Sequence, residues 1–150
     1  MIDDEIPELE GIYCIPACQS AVGELAGEVA ALMTPSRGTV LVSRGREDSI
    51  IHQEKLKAFQ DYIAKYKPEL NVVVVDGYST KEEHDEPVHN SILKALSEYD
   101  DIVLYYAQTS GDTRVAVDVF RELENKPSFM RIGTDLNIFT AQSIRDDELT

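Results

Sequence analysis

The stretch NVVVVD, residues 71–76, sets four consecutive valines between an asparagine and an aspartate. A strand with one wet face alternates apolar and polar residues. This one does not, so the pattern predicts a strand covered on both faces, the situation of parallel sheets with helical crossovers. The rest of the chain keeps a matching rhythm. GIYCI (11–15), GTVLVS (38–43), DIVLYYA (101–107) and SFMRIG (128–133) are further short apolar runs, separated by segments of helical period. In AVGELAGEVAALM (21–33), Val22, Leu25, Ala26, Val29 and Leu32 fall at helical spacing, and PSRG ends the helix. IIHQEKLKAFQDYIAKY (50–66) aligns Ile51, Leu56, Phe59 and Ile63, with Asp48 or Ser49 as the expected cap. Pro87 suits the first turn of a helix that runs to Tyr99. DTRVAVDVFREL (112–123) opens on an acid that matches the helix dipole, and NIFTAQSIRDDEL (137–149) predicts a last helix. The expectation is an α/β fold: three layers, doubly wound, around a mostly parallel sheet of about five strands, with the acidic residues 1–10 as a linker.

In such sheets ligands lie beyond the carboxyl ends of the strands. Five segments therefore matter: IPACQ, SRGRED, DGYST, AQTSGD and GTDLN. Asp135 stands in the last of them, at the start of a helix, where a carboxylate serves either as an N-cap or as a ligand contact. AQTSGD offers Gln108, Thr109 and Ser110 before Gly111, which fits a backbone nest as well as ordinary turn chemistry. His84 and His89 are five residues apart among acids, off one helix face, and carry no metal-site pattern. His52 reads as a helix-surface histidine with no nucleophile beside it. A phospho-acceptor receiver fails, since of its acidic and basic positions only Asp76 is filled. A dinucleotide site or P-loop fails too, because neither GxGxxG nor GxxxxGK[ST] occurs. The residues point to a binding protein rather than an enzyme, with no cofactor and no metal.

Charge narrows the partners. With 28 acids against 14 bases the net charge is −14, which argues against a nucleic-acid backbone or an anionic membrane as partner of this chain. No apolar run is long enough to span a bilayer. Cys14 and Cys18 suit free thiols in a reducing compartment, and MIDDEIPELEG has neither the basic nor the apolar part of a signal peptide. Taken at face value these features give a cytoplasmic expectation.

The serial order of segments resembles a known family. GELAGEVAALMTPSRGTVLVSRG, HQEKLKAFQDYI, DIVLYYAQTSGDTRVAVDVFREL and MRIGTDLNIFTAQSIRDDEL follow one another as do blocks of the sugar-sensing domain in the lactose-repressor/galactose-repressor family. The same domain is found in periplasmic sugar-binding proteins such as the ribose-binding protein. The last block is similar to that family's "VRVVGFDDTPEALALLRDGEL". The resemblance implies that residues 11–150 are the C-terminal lobe of a two-lobed ligand-binding domain, without the first lobe and any DNA-reading helices. It implies a carbohydrate-like effector held between lobes, contact with DNA only through a domain this chain lacks, no membrane partner, and a homodimer in the longer protein. A sugar-responsive transcription regulator is the first expectation and a periplasmic transport receptor the alternative. Carried over position by position, the family's aspartate after the last strand is Asp135, and its asparagine falls at Thr109. Its arginine falls at Gln53, and its crossover Asp-Asn at Cys18 and Gln19. The implied ligand set is Asp135, Thr109, Gln53 and Gln19, with Cys18 as a small apolar filler of the crossover.

Overall fold

The apolar runs become strands and the periodic segments cover them. The computed structural model describes residues 17–77 and 85–149. Within them the order is α1 (Gln19–Met33), β1 (Gly38–Ser43), α2 (Ile50–Tyr66), β2 (Leu70–Val75), α3 (Asp85–Glu98), β3 (Ile102–Tyr106), α4 (Ser110–Glu122), β4 (Met130–Ile132) and α5 (Ile138–Arg145). The strands are all parallel, in the order β2-β1-β3-β4. The described residues therefore hold four strands rather than about five; the expected strand at GIYCI (11–15) and the linker at 1–10 lie outside them.

Side chains of successive strand residues leave opposite faces of a sheet, so parallel strands buried on both sides build two cores. Leu41, Val75 and Tyr105 pack with Val88, Ile92, Val115 and Val119 of α3 and α4. Val40, Val42, Leu104 and Tyr106 pack on the other side with Ala30, Phe59 and Ile63 of α1 and α2. This is the three-layer, doubly wound arrangement expected.

Two expectations about packing need correction. The valine run does reach both cores, Val73 and Val75 on one side and Val72 on the other. It lies on an edge of the described sheet, however, where β2 pairs with β1 alone, and it leaves Val74 39% exposed. Connection order places a strand in a sheet; β-branched composition does not. On α1, Leu25 and Leu32 are exposed at 60% and 79%, and the buried residues are Gly23, Gly27 and Ala30. The missing side chains let α1 lie directly against α2: a Cβ on Gly27 would stand 2.8 Å from Tyr62 Cβ. The exposed edge gives a simple test. Val74→Lys, a charge of the kind that blunts open edges, should change unfolding free energy by no more than about 0.5 kcal/mol. Urea denaturation measures it, and a loss several times larger would mean that Val74 is covered.

Candidate functional site

The carboxyl ends of β1, β3 and β4 meet the N-termini of α1, α2 and α4 around an open groove of about 520 Å³. Asp135, Thr109 and Gln19 line it together, as expected of a rim site. Lys55, His52, Arg46, Ser49, Ser110 and Thr134 line it as well.

Asp135 occupies a left-handed backbone conformation, φ 66°, which non-glycine residues seldom adopt. Its carboxylate does not cap the following helix. Asn137 does that, in a capping box with Thr140. Asp135 Oδ2 instead accepts from the Ser110 N–H at 3.0 Å, and its main-chain oxygen accepts from Thr140 Oγ1 at 3.0 Å. The carboxylate thus joins the turn after β4 to the positive end of α4. Thr109 is the cap of α4, its hydroxyl accepting from the Asp112 N–H at 3.1 Å.

Lys55 is the residue that pattern reading missed. It lies in α2, 7% exposed, and its Nζ donates to the Gln108 carbonyl at 3.2 Å. Burial pulls its amine below the ordinary lysine range, while Asp135 and Asp112 act in the opposite sense. The signal was present in the sequence: 51, 55, 59 and 63 form one i, i+4 line, and a lysine interrupts it between Ile51 and Phe59. A cation on an apolar stripe requires a partner or a task.

His52 is half-buried against the groove rather than standing on a helix surface. Its Nδ1 accepts from the Arg46 N–H at 2.8 Å. Gly45, at φ 63°, makes room for that ring, since a Cβ there would lie 2.8 Å from Nδ1. Arg46 itself is held on both oxygens of Asp48, each at 3.0 Å. Burial pushes the phenols of Tyr105 and Tyr106 up, that of Tyr106 to about 12.

Two expected contacts lie elsewhere. Gln53 is exposed, and its amide donates to the Glu47 carbonyl at 2.6 Å, away from the groove. Two positions correspond to roughly 200° around a helix, so residues 53 and 55 of α2 face nearly opposite ways. Cys18 is an exposed free thiol, and the crossover it was expected to fill lies largely outside the described residues. It stands at the N-cap of α1, 3.3 Å from the Ser20 hydroxyl, which together with the Ala21 N–H draws its pKa below the usual thiol range. Ser49, at the N-cap of α2, makes no side-chain cap bond. No set of three or more His, Cys, Asp or Glu residues suited to a metal occurs among the described residues, and His89 pairs instead with Glu122 at 2.9 Å. His84 lies outside those residues. No described helix is long and apolar enough to cross a membrane.

The carboxyl rim of a doubly wound sheet, where this groove opens, is the place where such folds take small ligands. The chain belongs to the periplasmic binding protein domain family, which it matches over residues 1–150. No curated protein sequence matches it. Among solved structures it is similar to a glucose-galactose binding protein from Geobacillus stearothermophilus. That match has 16% identity and TM-score 0.81, covering 98% of this chain and 51% of the other. It is similar also to the XylFII-LytSN complex, at 20% identity and TM-score 0.82, covering 99% and 53%. A third is a carbohydrate transporter solute binding protein from Agrobacterium radiobacter in complex with D-arabinose. There identity is 17% and TM-score 0.72, covering 89% and 46%. The chain thus spans about half the length of these structures.

Proposed function

We propose that residues 11–150 form one jaw of a two-lobed receptor, with a carbohydrate held in the cleft between jaws. The observation that carries this is the placing of Lys55 and Asp135 on one rim: a buried ammonium and a carboxylate line the same groove. A sugar hydroxyl both donates and accepts, so adjacent hydroxyls fit an acceptor-only carboxylate beside a donor-only ammonium. Gln19, Ser49 and Thr134 add neutral polar groups. The family match and the sugar-binding structures of the same fold support the ligand class. A lobe spanning about half of such structures supports the second jaw, which would cover Leu136 and Ile138, 84% and 92% exposed beside Asp135. Closure on ligand then shifts the equilibrium between open and closed receptor, because the ligand touches both walls in one state.

Of the two roles open to such a receptor, delivery to a membrane transporter is favoured by the transport proteins among the similar structures. Cytoplasmic sensing by a homodimeric transcription regulator keeps one feature on its side, a chain with two cysteines and no disulfide pattern, which suits a reducing compartment. A signal sequence upstream of this segment in its gene decides for the first, and an encoded helix-turn-helix for the second. The site itself is tested by equilibrium dialysis against millimolar D-glucose, D-galactose and D-arabinose. Asp135→Asn keeps an acceptor for Ser110 and tolerates φ above zero, but loses the charge. It should weaken binding about tenfold or more with the melting temperature nearly unchanged. Equal binding by wild type and variant would remove Asp135 from the site.

A further inference from the structure

Beneath the groove floor, Gln108 is a polar side chain in a place where an apolar one would pack. It follows β3 and is fully buried. Its N–H donates to Ser43 Oγ at 3.2 Å, and its side-chain Nε2 donates to the Ser43 carbonyl at 2.9 Å. Its own carbonyl receives the Lys55 ammonium at 3.2 Å. Its Oε1 is buried with no hydrogen-bond partner among the described residues. An orphaned buried oxygen destabilises a core, and methionine fills nearly the same volume without one. The two bonds to Ser43 tie the last residue of β1 to the turn after β3. They thereby set the direction of the main-chain oxygen that receives Lys55.

We infer that Gln108 is a positioning residue of the cleft: clamped to Ser43, it aims the carbonyl that holds Lys55 Nζ in place for ligand. This rests on the proposed carbohydrate cleft, in which Lys55 is a contact. Without the clamp the turn after β3 can slide along β1, Thr109 and Ser110 move with it, and the ammonium follows its acceptor or swings toward water. The inference explains why a side chain with an unsatisfied atom occupies a position that stability alone would give to a hydrocarbon. It also separates two roles that coincide in most buried polar residues, because here fold and site make opposite demands.

Gln108→Met tests it, with Ser43→Ala as a second variant that removes one acceptor and leaves Gln108 in place. Three readouts are taken on the 150-residue chain: melting temperature, the pH titration of the Lys55 Cε resonance by NMR, and the dissociation constant for D-galactose. The expected result for Gln108→Met is a melting temperature close to wild type, the removal of the orphaned Oε1 offsetting the lost bond to the Ser43 carbonyl, and a Lys55 titration moved up toward the ordinary lysine range. Galactose affinity should fall about tenfold, the scale on which outer partners of a site act. Ser43→Ala should move the last two the same way by less. A lower melting temperature with an unmoved Lys55 titration, in whichever variant folds, would make Gln108 a structural residue and overturn the inference. Absence of galactose, glucose and arabinose binding by wild type would instead strike at the cleft, while the Lys55 titration still decides what Gln108 does.

Discussion

Gly23→Ala is expected to lower the unfolding free energy by about 2 kcal/mol or more, although alanine is the better helix former. Two effects compete. Replacing glycine inside a helix gains about 1 kcal/mol in propensity. Against this, a Cβ at Gly23 would fall inside the contact distance of the Lys55 main-chain oxygen and 2.9 Å from Ala58 Cβ. Overpacking of this sort costs about 1–3 kcal/mol where side chains can yield. Here the obstacle is the backbone of α2, which cannot turn aside, so the contact outweighs the propensity. Relief requires α1 to lift from α2, loosening the cluster of Ala30, Phe59 and Ile63. The same displacement shifts the segment that carries Lys55. Urea denaturation should show a lower midpoint with unchanged slope; a midpoint equal to or above wild type would mean that the two helices are not so closely packed.

Lys55→Met is expected to have the largest effect on ligand and little on the fold. Methionine keeps most of the aliphatic stem and removes a charge whose burial is unfavourable, as the lowered lysine pKa indicates. The loss of the bond to Gln108 offsets part of that gain. The melting temperature should therefore stay within a few degrees of wild type. Binding is another matter, since a charge-assisted hydrogen bond contributes about 1.5–3 kcal/mol. That range corresponds to a ten- to roughly hundredfold weaker dissociation constant for galactose, glucose or arabinose. Equal affinity in the variant would show that the ammonium only neutralises Asp135 and Asp112. Collapse of the fold would show that it is structural.

What the sequence reveals and what it hides divide along the line between local and distant causes. The strands at 38–43 and 102–106 are legible because β-branched and aromatic runs between turn residues have few other solutions. Asp135 is legible as a rim residue because it stands in the short turn after the last strand. Its partner is not, since the Ser110 N–H comes from a turn that only the folded sheet brings near. The buried face of α1 is misjudged from Leu25 and Leu32, because a helical period fits more than one face. Gly23 and Gly27, four residues apart, were the stronger hint, as they mark a face that needs close approach. Gln53 is misplaced by a shift of two positions along α2, which turns a side chain to the far side of the helix. Lys55 then occupies the groove that Gln53 was expected to reach.

The most direct test of the cleft is a two-dimensional NMR titration of the isotope-labelled chain with D-galactose and D-arabinose at millimolar concentration. A jaw that grips sugar at its carboxyl rim should shift the amide signals of Gln19, Ser49, Thr109, Ser110 and Asp135 together, with the Lys55 side-chain signals moving in parallel. Shifts confined to a second groove, lined by Glu24 of α1 and by Asp61, Tyr62 and Tyr66 of α2, or none at any residue of the rim, would contradict it.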